Sequence, residues 1–169
     1  MSAEVDLLPL SAGSDPELLA AVLALRPLPE QERFSIPAAE TLTAAAADPD
    51  RTPFAVVARG VPVGFGVLDR RGYLADLLDD PASAVLLRAF YVDAAHQGRG
   101  YGTAAARRAR ELAAALVPSA RLLVLTVNEA NPAARAAYAR AGFADTGARY
   151  LGGAAGPQRV LVAALPREA

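Results

Sequence analysis

The segment Asp93-Ala94-Ala95-His96-Gln97-Gly98-Arg99-Gly100-Tyr101-Gly102-Thr103 sets three glycines and an arginine between an apolar run and a helix-forming run. At a strand-to-helix junction successive backbone N–H groups converge, and the helix N-terminus adds partial positive charge. Glycine removes the side chains that would hold an anion away from that backbone, and Arg99 can add a charge-assisted contact. The chemistry on offer is the binding of a phosphorylated ligand, a pyrophosphate above all. A tight turn also needs glycines. Moreover, Gly100-x-Gly102-x-x-Ala105, with Glu129 near the end of the next strand, fits the relaxed dinucleotide-binding pattern. A dinucleotide-dependent oxidoreductase is therefore one reading of this loop.

Other chemistries are excluded by what the chain lacks. It has no cysteine, so there is no thiolate zinc site, disulfide or cysteine nucleophile. His96 is the sole histidine, too few for a His-rich metal centre, and no metal site is expected. All 17 basic residues are arginine, which rules out a lysine base or a Schiff base. A formal net charge of -1 argues against nucleic acid as a partner. With no apolar run near ~18 residues and an acidic start, neither a membrane span nor a signal peptide is expected, which implies a cytoplasmic location.

The rest of the chain reads as the scaffold that positions the loop. At 169 residues, with 53% hydrophobic and 21% charged, the composition predicts one globular domain over 1–169. Val5 to Leu10 reads as a short strand. Asp15-Pro16-Glu17 opens a helix with a cap, a proline and an acid, and its apolar stripe runs to Leu25. A second helix covers Ala38 to Ala47. Residues 54–58 and 61–68 form a hairpin, in which Gly64 and Gly66 signal a bulge or a close approach. Asp76, Asp79, Asp80 and Pro81 read as a polar loop before a strand over Val85 to Val92. A helix from about Thr103 to Leu116 buries Ala105, Ala109, Leu112 and Leu116, and Leu122 to Val127 is a buried strand. Asn131-Pro132 caps a helix through Ala141, and Phe143 to Tyr150 and Val160 to Leu165 close the chain as strands. The order is that of a mixed α/β domain.

Two blocks together carry a resemblance. Gln97-x-x-Gly100-x-Gly102, preceded by Phe90-Tyr91-Val92-Asp93, resembles the acetyl-CoA signature of the GNAT (Gcn5-related) N-acetyltransferase superfamily. Asn128 to Phe143, containing Asn131, Tyr138 and Gly142-Phe143, resembles that superfamily's following helix–strand segment, at the same spacing. A dinucleotide-binding domain does not predict the second block. The likeness spans about residues 54–165, and Leu28-Pro29-Glu30-Gln31 with Phe34 adds a weaker likeness to bacterial spermine/spermidine-type acetyltransferases. The resemblance implies a mostly antiparallel central sheet flanked by helices, with a splayed strand pair that binds acetyl-CoA.

It also implies direct transfer of an acetyl group from acetyl-CoA to the primary amine of a small molecule. A polyamine is the candidate raised by the amino-terminal likeness, with Glu30, Glu32, Asp76, Asp79 and Asp80 as the acids that would recognise it. Phe90, Tyr91 and Val92 would meet the pantetheine arm, and a backbone N–H among them would polarise the acetyl oxygen. Gln97, Gly98, Arg99, Gly100, Tyr101, Gly102 and Thr103 would hold the pyrophosphate, and Asn131 would cap its helix and contact the cofactor. Tyr138 matches the family's general acid toward the departing thiolate. Some members carry a glutamate base where this chain has Leu86; His96 sits in the phosphate loop, and Tyr91, Asp93 or a chain of waters remain as proton acceptors. The missing glutamate keeps open a non-catalytic acyl-CoA-binding module of the same fold. A homodimer is a further expectation, since dimers are common in the superfamily.

Overall fold

The computed structural model describes residues 3–167; Met1 and Ser2 of the acidic start, with Glu168 and Ala169, lie outside them. The chain runs β1 (Asp6–Pro9), α1 (Pro16–Leu23), α2 (Ala38–Ala47), β2 (Arg51–Ala58), β3 (Val61–Asp69), α3 (Leu74–Leu77), β4 (Ala84–Val92), α4 (Tyr101–Leu116), β5 (Leu122–Asn128), α5 (Pro132–Arg140), β6 (Ala144–Tyr150) and β7 (Gln158–Ala164). The strands form one sheet in the order β1-β2-β3-β4-β5-β7-β6. Every neighbouring pair is antiparallel except β4 with β5. A doubly wound parallel sheet, which the dinucleotide reading needs, is not what forms.

The parallel pair is short. Residues 84–86 of β4 pair with 122–124 of β5, and no further pairing joins the two strands. Beyond Leu86 the strands part and open a wedge in the sheet. On its other edge β4 carries a bulge: Val67 pairs with Arg88 but Phe65 pairs with Tyr91, so Ala89 and Phe90 oppose Gly66 alone. Ala89 takes a positive φ of 51° there. Gly66 is required because a Cβ would fall 2.4 Å from the Phe54 ring. Both glycines flagged in the hairpin therefore mark close approaches, since a Cβ on Gly64 would sit 2.7 Å from the Tyr91 carbonyl oxygen.

Side chains alternate to the two faces of the sheet. Phe54, Val56, Val85 and Leu87 pack on one face with α4, while Ala55, Phe65, Val67 and Tyr91 pack on the other with α1 and α2. Asp15 caps α1 by accepting the Glu17 N–H at 3.1 Å, and Pro16 follows it. The α4 helix buries Ala104, Ala105, Ala106, Ala109 and Ala113, small residues that let it lie close to the strands. Its expected stripe needs correction: Leu112 is only part-buried and Leu116 is 41% exposed. The helix also starts at Tyr101, two residues early, because Gly100 with φ of 82° turns the chain directly into it. A short helix, α3, stands where a polar loop was expected, held by the burial of Leu74 against Leu86, Val124 and Val160.

Candidate active site

The site forms where β4 ends and α4 and α5 begin. Gly98 and Gly100 both adopt left-handed φ values, 79° and 82°, and a Cβ on Gly98 would meet nothing within 4 Å. No side chain caps α4, so its first N–H groups are left facing outward, as an anion site requires. The loop is fastened at several points. Asp93 accepts the Arg26 N–H at 2.9 Å, and Ala94 donates to the Arg26 carbonyl at 2.8 Å. Gln97 donates from Nε2 to Gln31 at 2.7 Å and to the Val92 carbonyl at 2.9 Å. The Gln97 amide thus fixes the loop, which leaves its backbone to face a ligand.

A cavity of about 320 Å³ opens over these groups. Its wall includes Phe90 to Val92, Gln97, Gly98, Gly100 to Thr103, Asn131 and Tyr138. Eleven of the twelve residues singled out from sequence are therefore brought together on one surface. Arg99 is the exception: it is exposed and outside the wall, and the cation that does line it is Arg140 from the end of α5. Glycines on both sides of Arg99 direct the backbone, not its side chain, toward the cavity. Pro27, Gln31 and Ser35 also line it and were missed as site residues, because only the folded chain brings residues 26–35 across to β4. Ser35 donates to the Phe90 carbonyl at 3.2 Å.

Tyr138 stands at the centre. Its ring packs on Phe90 and Phe143, with centroid separations of 6.2 and 5.8 Å. Burial raises its pKa well above the usual phenol value of 10.0, so it keeps its proton at neutral pH. Among the described residues no buried side-chain polar atom lacks a partner, and the Tyr138 hydroxyl, which bonds to no protein group, opens onto the cavity. Asn131 caps α5 by accepting the Ala134 N–H at 3.3 Å, as its sequence position implied.

The proton-acceptor candidates fare differently. Tyr91 donates to the Leu25 carbonyl at 3.0 Å and accepts the Ala38 N–H at 2.9 Å, so its hydroxyl ties the chain just after α1 to the start of α2. Asp93 caps the following turn and lies 3.1 Å from His96 Nδ1, on the loop side. Leu86 is fully buried in the cluster beneath α3. Glu129, the would-be ribose acid, is instead bound by Arg149 at 2.8 and 3.2 Å, which lowers its pKa.

A second cavity, about 560 Å³, lies on the other side of the Phe90–Tyr138 wall. Ser35, Phe90, Asn131, Ala134 and Tyr138 border both spaces. Its lining comes from α2, α5, all strands from β2 to β7, the α1–α2 connection and the 152–155 loop, with Tyr73 and Asn131. None of Glu30, Glu32, Asp76, Asp79 and Asp80 lines either cavity, and all five are exposed. Neither cavity is the acidic pocket expected for a polyamine.

Residues 19–143 match the acetyltransferase (GNAT) family. The chain belongs to that family. It is 30% identical over 138 residues to an uncharacterized N-acetyltransferase, YbbJ, of Bacillus subtilis, covering 81% of this chain and 86% of the relative. The fold is shared with AAC(6')-Ib in complex with ribostamycin and coenzyme A, at a TM-score of 0.71 and 19% identity over 95% of this chain and 93% of that one. It is likewise shared with a spermidine N-acetyltransferase from Vibrio cholerae in complex with CoA and spermine, at 0.65 and 15% identity over 95% of each chain. In this member of the family the splayed β4–β5 pair forms a wedge in the sheet that leads to the uncapped N-terminus of α4. Among the described residues no helix is long and apolar enough to cross a membrane.

Proposed function

We propose that the chain is an acetyl-CoA-dependent N-acetyltransferase that moves an acetyl group directly to the primary amine of a small molecule. The observation that carries this reading is the Tyr138 hydroxyl, protonated and without a partner among the described residues, on the wall shared by two cavities. One cavity ends at an anion-binding turn and the other has no such turn, as a cofactor and an acceptor require. Acetyl-CoA supplies the activated thioester carbonyl when bound. The fit of this chain to it rests on the α4 N–H groups and the left-handed Gly98 and Gly100 for the phosphates, and on the unpaired edge of β4 for the pantetheine arm. Phe90 and Val92 are placed to orient that arm through their backbones.

In the transfer, a C–N bond forms as the C–S bond breaks, and Tyr138 donates its proton toward the departing sulfur. The chain has no carboxylate or histidine among the described residues lining the acceptor cavity, so no side chain there takes the amine's proton. Its guanidinium groups work in the same direction, because nearby positive charge disfavours an ammonium and favours the free amine that attacks. Water carries the proton away. A non-catalytic acyl-CoA-binding module is the alternative that Leu86 raises. Thiol release from acetyl-CoA across amino acids, aminoglycosides, polyamines and peptides separates them: turnover with one class supports transfer, and tight acetyl-CoA binding with no turnover supports the module.

A further inference from the structure

The acceptor cavity is the part of the molecule whose chemistry points beyond acetyl transfer. Its charged lining is Arg33, Arg51 and Arg88, with no acidic side chain among the described residues that border it. Behind the wall, the buried Asp69 accepts from Arg51 Nε at 3.2 Å and from Arg88 Nη1 at 3.1 Å. Asp69 is itself fixed by the Arg71 N–H at 2.9 Å and is 1% exposed. Asp48 lies 3.5 Å from Arg51, so two carboxylates stand against three guanidinium groups. The cavity keeps a positive excess.

Arg88 is the group best placed to use that excess. It sits on β4 two residues before Phe90, on the strand that carries the wall between the cavities. Its guanidinium lies 5.5 Å from the Tyr73 ring centroid, and its one protein hydrogen bond among the described residues runs from Nη1 to Asp69. The remaining N–H donors are held in a fixed orientation, which is what charge-assisted recognition of an anion needs. Arg33, stacked 4.4 Å from the Phe34 ring centroid, adds a second cation on the same lining. A molecule with several ammonium groups would meet like charge here and find no carboxylate to pair with.

Resting on the acetyl-transfer reading, we propose that the acceptor is an amine that also carries an anionic group, a carboxylate or a phosphate, which Arg88 anchors while the amine faces the Phe90–Tyr138 wall. Asp69 is a positioning residue that holds Arg88 and Arg51 in place. Specificity then comes from the acceptor's negative charge and not from its number of amines.

The test is steady-state kinetics of the intact chain with acetyl-CoA and matched acceptors: amino acids, their carboxamides, O-phosphoethanolamine and spermidine. The acid of a pair should exceed its carboxamide in kcat/KM by roughly tenfold or more, since a hydrogen bond to a charged group is lost in the amide. Arg88→Gln should remove that preference mainly through the KM of the acid. Arg33→Gln, at an exposed position, should weaken the same preference without burdening the fold. Preference for O-phosphoethanolamine over every amino acid identifies the anion as phosphate; the reverse identifies carboxylate. Faster turnover of spermidine or of carboxamides, or an acid preference intact in both variants, overturns the proposal and leaves acetyl transfer standing. Absence of thiol release with every amine instead overturns acetyl transfer. Calorimetric binding of the acid and carboxamide pairs to the CoA complex, in wild type and Arg88→Gln, then decides the anion claim alone.

Discussion

The two cavities on either side of Tyr138 are built by opposite means. The side we propose for acetyl-CoA uses backbone: a wedge where β4 leaves β5 after Leu86, left-handed glycines, and an uncapped helix start. The acceptor side uses side chains drawn from Arg33 to Gln158 and fixed by one buried carboxylate, Asp69. A backbone site depends little on side-chain identity and so tolerates change in sequence. A side-chain site can be rebuilt for each acceptor without disturbing the fold. The contrast explains how this chain shares a fold with structures holding ribostamycin or spermine while its own cavity is lined by arginine.

The substitution with the largest expected effect tests whether β4 could host the base that its sequence lacks. Leu86 is 0% exposed between Leu74 and Val124 and pairs with Asp69 of β3, so Leu86→Glu buries a second carboxylate beside Asp69 in an apolar cluster. It should cost about 4 kcal/mol of stability or more in urea unfolding, and should not raise turnover. Retained stability with faster turnover would break the division between the two sides. Gly100→Ala addresses the cofactor side alone. Its φ of 82° makes a side chain strained by about 1–2 kcal/mol. Acetyl-CoA should bind more weakly by calorimetry while the acceptor KM holds steady. The smallest effect is expected at Asn131, which borders both cavities and caps α5. Asn131→Ala should lower stability by about 1 kcal/mol through the lost cap, read as a shifted unfolding midpoint.

The same contrast accounts for what could be read from the chain. The cofactor side was legible because it is contiguous: Phe90 to Thr103 is one strand, one turn and one helix start, and Asn131 to Phe143 is one capped helix with its exit. Glycine, proline and asparagine at fixed offsets report backbone conformations directly. Arg99 stands exposed outside the wall, whose arginine is Arg140, 41 positions on. The acceptor side was illegible because no spacing links Arg33, Arg51, Arg88 and Tyr150 until the sheet stacks them together. Its acidic candidates were surface residues, and the one consequential acid, Asp69, looked like the end of a strand. Within the fold, α3 escaped notice because four residues carry too little periodicity to separate a helix turn from a polar loop.

Acidity offers a further discriminator. Burial holds the Tyr138 phenol above its ordinary range, so the proton it donates stays in place through alkaline pH. The rate should climb as the acceptor amine loses its proton and then level off, with no descending limb up to about pH 9.5, short of an unperturbed phenol near pH 10. A descending limb centred below that value would mean that Tyr138 loses its proton more readily than an ordinary phenol, against the effect of its burial.

The most direct measurement compares wild type and Tyr138→Phe in two assays, thiol release from acetyl-CoA with a turned-over amine and calorimetric acetyl-CoA binding. Loss of the proton donor should lower kcat by on the order of a hundredfold or more, with acetyl-CoA affinity nearly unchanged. Equal kcat in the two proteins, or an affinity that falls in step with turnover, would contradict the assignment of Tyr138 to the chemistry between the two cavities.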